Sequence, residues 1–341
     1  MVKRFLLSIT LCCLFTVPAF AANDLPGKGV TVSPARATWN TGFFHAALVK
    51  MGLEALGYKV KKPKDLANAL AYKSLAMGDI DYWPNGWFPV HNNYMGGDFF
   101  EHAKPYGYVV QAGGLQGYLV SKSYADKLNI TSLDDFKRPE VLEVFDKDGD
   151  GKADLNACPP GWGCERTIDR HMEVYGLKKY IKPSKAAYEA GMAAALGAHQ
   201  AGKPVFFYSW TPNWTVFKLK PGEDVVWINV PEIIPTEYQK ASADKMTVKD
   251  LEGAVSNPLK MGFVPSDIRI VANKKFAEEN PAAKRFFELF SIPLADINRQ
   301  NNLLYQGEKS EKDIQRHAKE WIANNKATWD NWLKQAREAA N

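Results

Sequence analysis

Concentrated positive charge is missing from this 341-residue chain: no run of five or more lysines and arginines occurs, and the net charge is only +5. Binding to a phosphate backbone needs such a concentration, so no nucleic-acid partner is expected. Past the N-terminal leader no apolar stretch approaches the roughly 18 residues that cross a bilayer as a helix. Neither Gly-x-Ser-x-Gly nor His-Glu-x-x-His is present, which removes the commonest hydrolase signatures. Cysteines number 4, and Cys12 and Cys13 lie in the leader. If the remaining pair, Cys158 and Cys164, is bonded, no thiolate nucleophile remains. Neither an enzyme nor a bound cofactor is therefore expected.

Met1 to Ala21 has the organisation of a secretory signal: Lys3 and Arg4, an apolar run from Phe5 to Val17, and Ala19-Phe20-Ala21 as a small-x-small cleavage site. The apolar run is too short for about 30 Å of hydrocarbon. Leu11 before Cys12 does not suit a lipoprotein signal. Cleavage near Ala22 would leave a mature exported chain of net charge close to +3. In an oxidising compartment a Cys158–Cys164 disulfide is the default; two cysteines alone make a poor zinc site. Closing so short a ring would contribute roughly 2 kcal/mol, and would stiffen the loop that carries Trp162.

Apolar residues at 46% and charged residues at 24%, with 25 glycines and 20 prolines, are an ordinary globular balance. At about 150 residues per domain the length suggests two. Val30-Thr31-Val32, a helix from Thr41 with Phe44, Leu48, Met51 and Ala55 on one face, a stop at Gly57, and Tyr58-Lys59-Val60 read as a βαβ unit. A second helix, Ala67 to Met77, leads to a strand over Asp79 to Trp83, expected to end in the breaker-rich Trp-Pro-Asn-Gly-Trp-Phe-Pro. Further strands are predicted at Gly117 to Val120, Val205 to Ser209, Val225 to Val230 and Ile268 to Val271. Helices are predicted at Ala186 to Ala198, Pro281 to Phe290 and over 308–340. Alternation of this kind indicates an α/β architecture. The polar stretch 231–265 carries no clear pattern.

What the chain has in excess is aromatic: Trp 10, Tyr 14 and Phe 18. Trp321, Trp329 and Trp332 fit helix packing, and Trp39 and Trp227 have no evident role. Trp83 and Trp87, Trp162, and Trp210 and Trp214 follow predicted strands or sit on the cysteine loop, where ligands of α/β proteins bind. Several indole faces suit a quaternary ammonium, which has a fixed charge but no N–H to donate. Three faces at up to about 2 kcal/mol each give a gross of about 6 kcal/mol. A micromolar ligand needs about 8 kcal/mol, so the other end of the molecule must be held too. His91, four residues after Trp87, and backbone N–H groups such as those of Gly163 and Cys164 would suit a carboxylate.

The segments Trp-Phe-Pro-Val-His (87–91), Asp-Gly-Asp-Gly-Lys-Ala-Asp-Leu (148–155), Cys-Pro-Pro-Gly-Trp-Gly-Cys-Glu (158–165), Gly-Lys-Pro-Val-Phe-Phe-Tyr-Ser-Trp-Thr-Pro-Asn-Trp (202–214), Asp-Val-Val-Trp (224–227) and Ala-Asp-Ile-Asn-Arg-Gln-Asn (295–301) resemble the periplasmic glycine betaine-binding proteins of ProU-type osmoprotectant importers. The likeness runs from about Leu25 to the C-terminus. It implies a type II periplasmic binding protein fold, two α/β lobes with a ligand cleft between them: residues 23–117 plus 266–341, and residues 118–265. It also implies a tryptophan box containing Trp87 and Trp162, a carboxylate site of His91, Gly163 and Cys164, and a disulfide between Cys158 and Cys164. A monomer that delivers its ligand to the membrane permease of an ABC importer follows.

A further box tryptophan is expected shortly after the histidine, where this chain has Asn92-Asn93-Tyr94. Tyr94, Trp83 and Trp210 are thus the candidates for the missing wall. Asp146, Asp148, Asp150 and Asp154 occupy positions 1, 3, 5 and 9 of a calcium-type loop, but Ala157 stands where its bidentate glutamate belongs. The loop is a weak calcium candidate, with a solvated Asx-turn as the alternative. The rival reading of the aromatics is a carbohydrate-binding, lectin-like protein, since sugars also stack on rings.

Overall fold

The computed structural model describes residues 24–341; the predicted secretory signal lies outside the described residues. Strands β1 (Thr31–Val32) and β3 (Lys59–Val60) pair in parallel across helix α1 (Thr41–Ala55), which is the predicted βαβ unit. Gly57 ends α1 at φ +92°, with Gly57 N–H on Glu54 O and Tyr58 N–H on Leu53 O. This double closure needs a left-handed residue that glycine adopts without strain. Phe44 and Leu48 are buried as expected, but Met51 is only half-buried, and Gly52 carries the stripe onward. The reason is steric: a Cβ on Gly52 would stand 2.1 Å from the Phe286 ring.

Strands β2 (Ala35–Arg36) and β4 (Lys64–Asp65) pair in parallel, and helix α2 (Asn68–Met77) leads into β5 (Tyr82–Phe88). The expected stop at the proline-glycine run does not occur: β5 passes through Pro84 and Gly86 to Phe88. It pairs antiparallel with β12 (Ser266–Asn273), and between Trp83↔Val271 and Gly86↔Arg269 two residues oppose one. The bulge absorbs Pro84, which has no N–H for the ladder. On its other side β12 pairs with β6 (Ala103–Gly114), a strand the pattern did not disclose. These elements form the first lobe.

The second lobe is a five-stranded sheet of β7 (Gln116–Ser121), β8 (Ala153–Asn156), β9 (Ile181–Ser184), β10 (Phe206–Trp210) and β11 (Val225–Ile228), in the order β11-β7-β10-β8-β9. Its strands β8, β9 and β10 are parallel, whereas β7 runs antiparallel to both neighbours. Helices α3 (Gly163–Val174) and α4 (Tyr188–Gln200) belong to this lobe. The chain passes between the sheets at Leu115, whose carbonyl accepts from Thr211 N–H at 2.9 Å.

Four C-terminal helices, α5 (Pro281–Leu289), α6 (Leu294–Tyr305), α7 (Glu311–Asn324) and α8 (Lys326–Glu338), return to the first lobe. Trp321, Trp329 and Trp332 pack against one another and against Phe286 and Phe290, the packing role expected of them. Trp227 is a fully buried residue of β11 in the second sheet. The stretch 231–265 forms one kinked 3-10 segment, Glu237–Met246, and a two-residue pairing of Thr247–Val248 with Leu259–Lys260. No helix among the described residues is long and apolar enough to cross a membrane.

Gly52→Ala should lower the thermal midpoint by several degrees, because overpacking a closed core costs about 1–3 kcal/mol. An unchanged midpoint in a calorimetric scan would show that Phe286 can move aside.

Candidate ligand-binding site

Trp39, Trp87, Trp162, Trp210 and Tyr208 surround one cavity of about 30 Å³, with Asn68, Val90, His91, Gln116, Gly163 and Cys164 completing its lining. The indole planes of Trp162 and Trp210 stand at 81° with centroids 5.6 Å apart, and those of Trp39 and Trp162 at 67° and 5.4 Å. Planes this steep make the sides of a box rather than a stack. The walls come from both lobes: Trp39 and Trp87 from the first, Trp162 and Trp210 from the second.

The predicted residues fall into two groups. Trp87, His91, Trp162, Gly163, Cys164 and Trp210 meet at the cavity. Trp83 and Tyr94 do not line it. Trp83 is wholly buried and stacks on the far side of His91, centroids 5.7 Å apart and planes within 3°. Tyr94 stacks instead on Tyr72. Trp83 and Trp87 belong to β5 and Trp210 to β10, so these are strand residues rather than the loop residues expected. Trp214 opens the short helix Trp214–Lys218, stacks on Tyr305 and donates to Glu189 at 2.7 Å. Trp39, Asn68, Gln116 and Tyr208 are lining residues that the sequence reading missed. Nothing local marked them, since each is brought in by a neighbouring strand or helix.

Gly163 and Cys164 are the first two residues of α3, with Trp162 as its N-cap. Helix N-termini present unpaired N–H groups and a partial positive charge, a natural seat for an anion. Cys164 is bonded to Cys158, which anchors this first turn. The absence of a side chain at 163 is required: a Cβ there would lie 2.6 Å from Val90 and 3.3 Å from His91 Nε2. The imidazole and the helix N-terminus therefore touch.

His91 is buried, and desolvation holds its pKa down to about 3, so it is neutral. Its Nδ1 accepts the Trp87 backbone N–H at 3.1 Å, with Tyr72 Oη also at 3.1 Å. A neutral imidazole that accepts at Nδ1 carries its proton on Nε2. That nitrogen lies 3.0 Å from the Asn68 side-chain amide, which accepts its proton only with Oδ1 turned toward the ring. Nε2–H, partnered by Asn68, thus lies on the side of the α3 N-terminus.

The acidic loop is satisfied from within. Asp146 accepts N–H groups of Gly149, Asp150 and Gly151, and Lys182 Nζ sits 2.6 Å from Asp148 and 2.7 Å from Asp150. Oxygens of Asp146, Asp148 and Asp154 approach within 4.8 Å of one another, but Lys182 already brings a cation to the cluster. The lysine lowers the Asp148 pKa, and the arrangement is that of an Asx-turn loop.

A two-lobed solute-binding protein of the type II periplasmic fold is the class that this cleft and its walls define. The chain belongs to the family described as the substrate-binding domain of ABC-type glycine betaine transport systems, whose model matches residues 30–324. It is 40% identical over 338 residues to the glycine betaine-binding periplasmic protein OusX of Dickeya dadantii, covering 98% of each chain. It is likewise 40% identical over 339 residues to the glycine betaine/proline betaine-binding periplasmic protein of Escherichia coli, again with 98% of each chain. Among solved structures, lactococcal OpuAC in its closed form with glycine betaine superposes with a TM-score of 0.66 at 20% identity, covering 89% of this chain and 99% of that one. The glycine betaine/L-proline-binding protein ProX of Borrelia burgdorferi gives 0.70 at 16% identity, covering 91% and 100%. At such identities the superpositions speak for the fold alone. The family is one of binding proteins rather than enzymes, and the named relatives are periplasmic.

His45, His91 and His171 are each held near pKa 3 by burial, against about 6.5 in an unfolded chain. The unfolded state therefore takes up protons that the folded state refuses. Stability should be complete above about pH 6.5 and fall as the pH drops toward 3, by up to about 1.4 kcal/mol per pH unit for each histidine. Urea unfolding at pH 7.5, 6, 5 and 4 checks this; equal stability at pH 7.5 and 5 would mean that these imidazoles protonate in place.

Proposed function

We propose that this chain is the substrate-binding protein of an osmoprotectant ABC importer, which captures glycine betaine or a related quaternary ammonium zwitterion and delivers it to the membrane permease. One observation carries the reading: a single small cavity has unlike ends. Indole and phenol rings suit a trimethylammonium group, covering its methyls and attracting its charge through their faces. The α3 N-terminus at Gly163 and Cys164, together with His91 Nε2–H, suits a carboxylate. In this reading Trp87, Trp162 and Trp210 form the box. Trp210 stands as the wall that the local motif leaves open, because it faces Trp162 at 5.6 Å.

With walls drawn from both lobes, the cavity takes up a betaine as the lobes part and encloses it as they close. The lobes in this proposal are residues 23–117 plus 266–341, and residues 118–265; the separation of the strands into β1–β6 with β12 and β8–β11 supports that division, with β7 (Gln116–Ser121) spanning its first boundary. The protein works as a monomer, exported by a signal peptide cleaved near Ala22. The N-terminal residue of the protein recovered from the periplasm tests the last point.

Calorimetric titration with glycine betaine, proline betaine, choline, carnitine and a neutral sugar tests the ligand class. Heat with the betaines and none with the sugar is expected; a response to the sugar alone would favour the lectin-like reading. Trp87→Ala and Trp162→Ala should each weaken betaine binding tenfold or more, about 1.4 kcal/mol, and unchanged affinity in both would place the box elsewhere. His91→Ala should weaken betaine binding more than choline binding, since choline has no carboxylate.

A further inference from the structure

Asn85 lies at the β5 bulge, fully buried, and touches the cavity only through the residues it holds. Its Oδ1 accepts two indole N–H groups at once, from Trp39 at 2.8 Å and from Trp87 at 2.9 Å. Two donors on one oxygen settle the orientation of the amide, since the NH₂ end could receive neither. Nδ2 then points the other way, to His45 Nδ1 at 2.6 Å. His45 is fully buried and accepts at Nδ1, so its own proton sits on Nε2.

The consequence lies in the walls. Trp39 comes from the loop before α1 and Trp87 from β5, and without a common anchor each indole could turn about its side-chain torsions. A shared acceptor ties both ring planes to one point of the strand. Trp39 in turn meets Trp162 of the other lobe edge to face at 5.4 Å, and Trp162 Nε1 donates to Thr38 Oγ1 at 3.1 Å. The oxygen of Asn85 thus sets one side of the box and the surface that the opposite lobe closes on.

We propose that Asn85, oriented by His45, is the positioning residue of the site, and that Trp39 is a fourth aromatic wall held by it. The inference rests on the quaternary ammonium reading above, so wild-type binding of glycine betaine is measured first; if there is none, it is that reading which fails. Given wild-type binding, Asn85→Leu should weaken glycine betaine at least tenfold, and Trp39→Phe, which keeps a ring but loses the N–H, about threefold. The double variant should bind no more weakly than Asn85→Leu alone, because the lost bond is shared. Two indole Nε1–H resonances, assigned through Trp39→Phe and Trp87→Phe, should shift and exchange faster with solvent in ligand-free Asn85→Leu. A general loosening of the fold would not move those two selectively, and the affinity loss in the same variant ties their release to binding.

Asn85→Asp keeps the acceptor and should bind within about threefold of wild type; it also carries the test if Asn85→Leu proves unfolded by circular dichroism. Wild-type affinity in folded Asn85→Leu, fully additive losses in the double variant, or a tenfold loss in folded Asn85→Asp would each overturn the proposal.

Discussion

A tryptophan that faces a cavity is held best when its own N–H is satisfied on the other side, and this constraint shapes most of the site. Tryptophan has the largest aromatic face, but it brings one N–H donor that cannot be left unpaired behind a wall without cost. Three of the four tryptophan walls meet this constraint, Trp39 and Trp87 donating to Asn85 and Trp162 to Thr38, whereas the buried Trp210 Nε1 has no partner among the described residues. Each bond turns an indole edge away from the cavity and leaves its face toward it. Exchange of a tryptophan for a phenylalanine would lose less area than orientation.

The opposite end of the cavity follows a different logic. There the donors are deliberately exposed, because backbone N–H groups at the start of α3 have no partner within the helix. Three features make them usable together. The Cys158–Cys164 bond fixes the first turn, glycine at 163 lets the imidazole come close, and burial keeps His91 neutral with Nε2 as donor. A protonated His91 would be a stronger partner for an anion but costly to bury. The neutral form instead offers one directed hydrogen bond, with Nδ1 occupied by the backbone of the same strand end that carries Trp87.

Much of this was legible in the sequence, and the boundary has physical causes. The βαβ unit, the glycine stop of α1 and the tryptophan packing of the C-terminal helices are local patterns, and local patterns survive folding. The Trp-x-x-x-His spacing and the cysteine loop could be read for the same reason. β5 could not, because a proline in a strand is tolerated at a sheet edge or a bulge, and both depend here on the pairing with β12, far along the chain. Trp39, Gln116 and Tyr208 reach the cavity through pairings of the same long range. Trp83 misled for the opposite reason: its place beside Trp87 in the motif is real, but the pleat and the bulge send it into the core behind His91.

The same residues that wall the cavity also join the lobes, and this gives closure its selectivity. Trp162 contacts Thr38 and Trp39, and Thr41 Oγ1 donates to the Pro212 carbonyl at 3.2 Å across the same cleft. A ligand shifts an opening equilibrium only by binding the two states unequally. With tryptophans from both lobes on one small space, an open form offers half of the ring faces and the closed form all of them. In the proposed function, a cation that fills the box would favour closure with every wall it adds, whereas a molecule that meets only one lobe has no such differential. On that proposal affinity and closure are then a single event, and the proposed anchoring at Asn85 would set how much of the ring contact is available before the second lobe arrives.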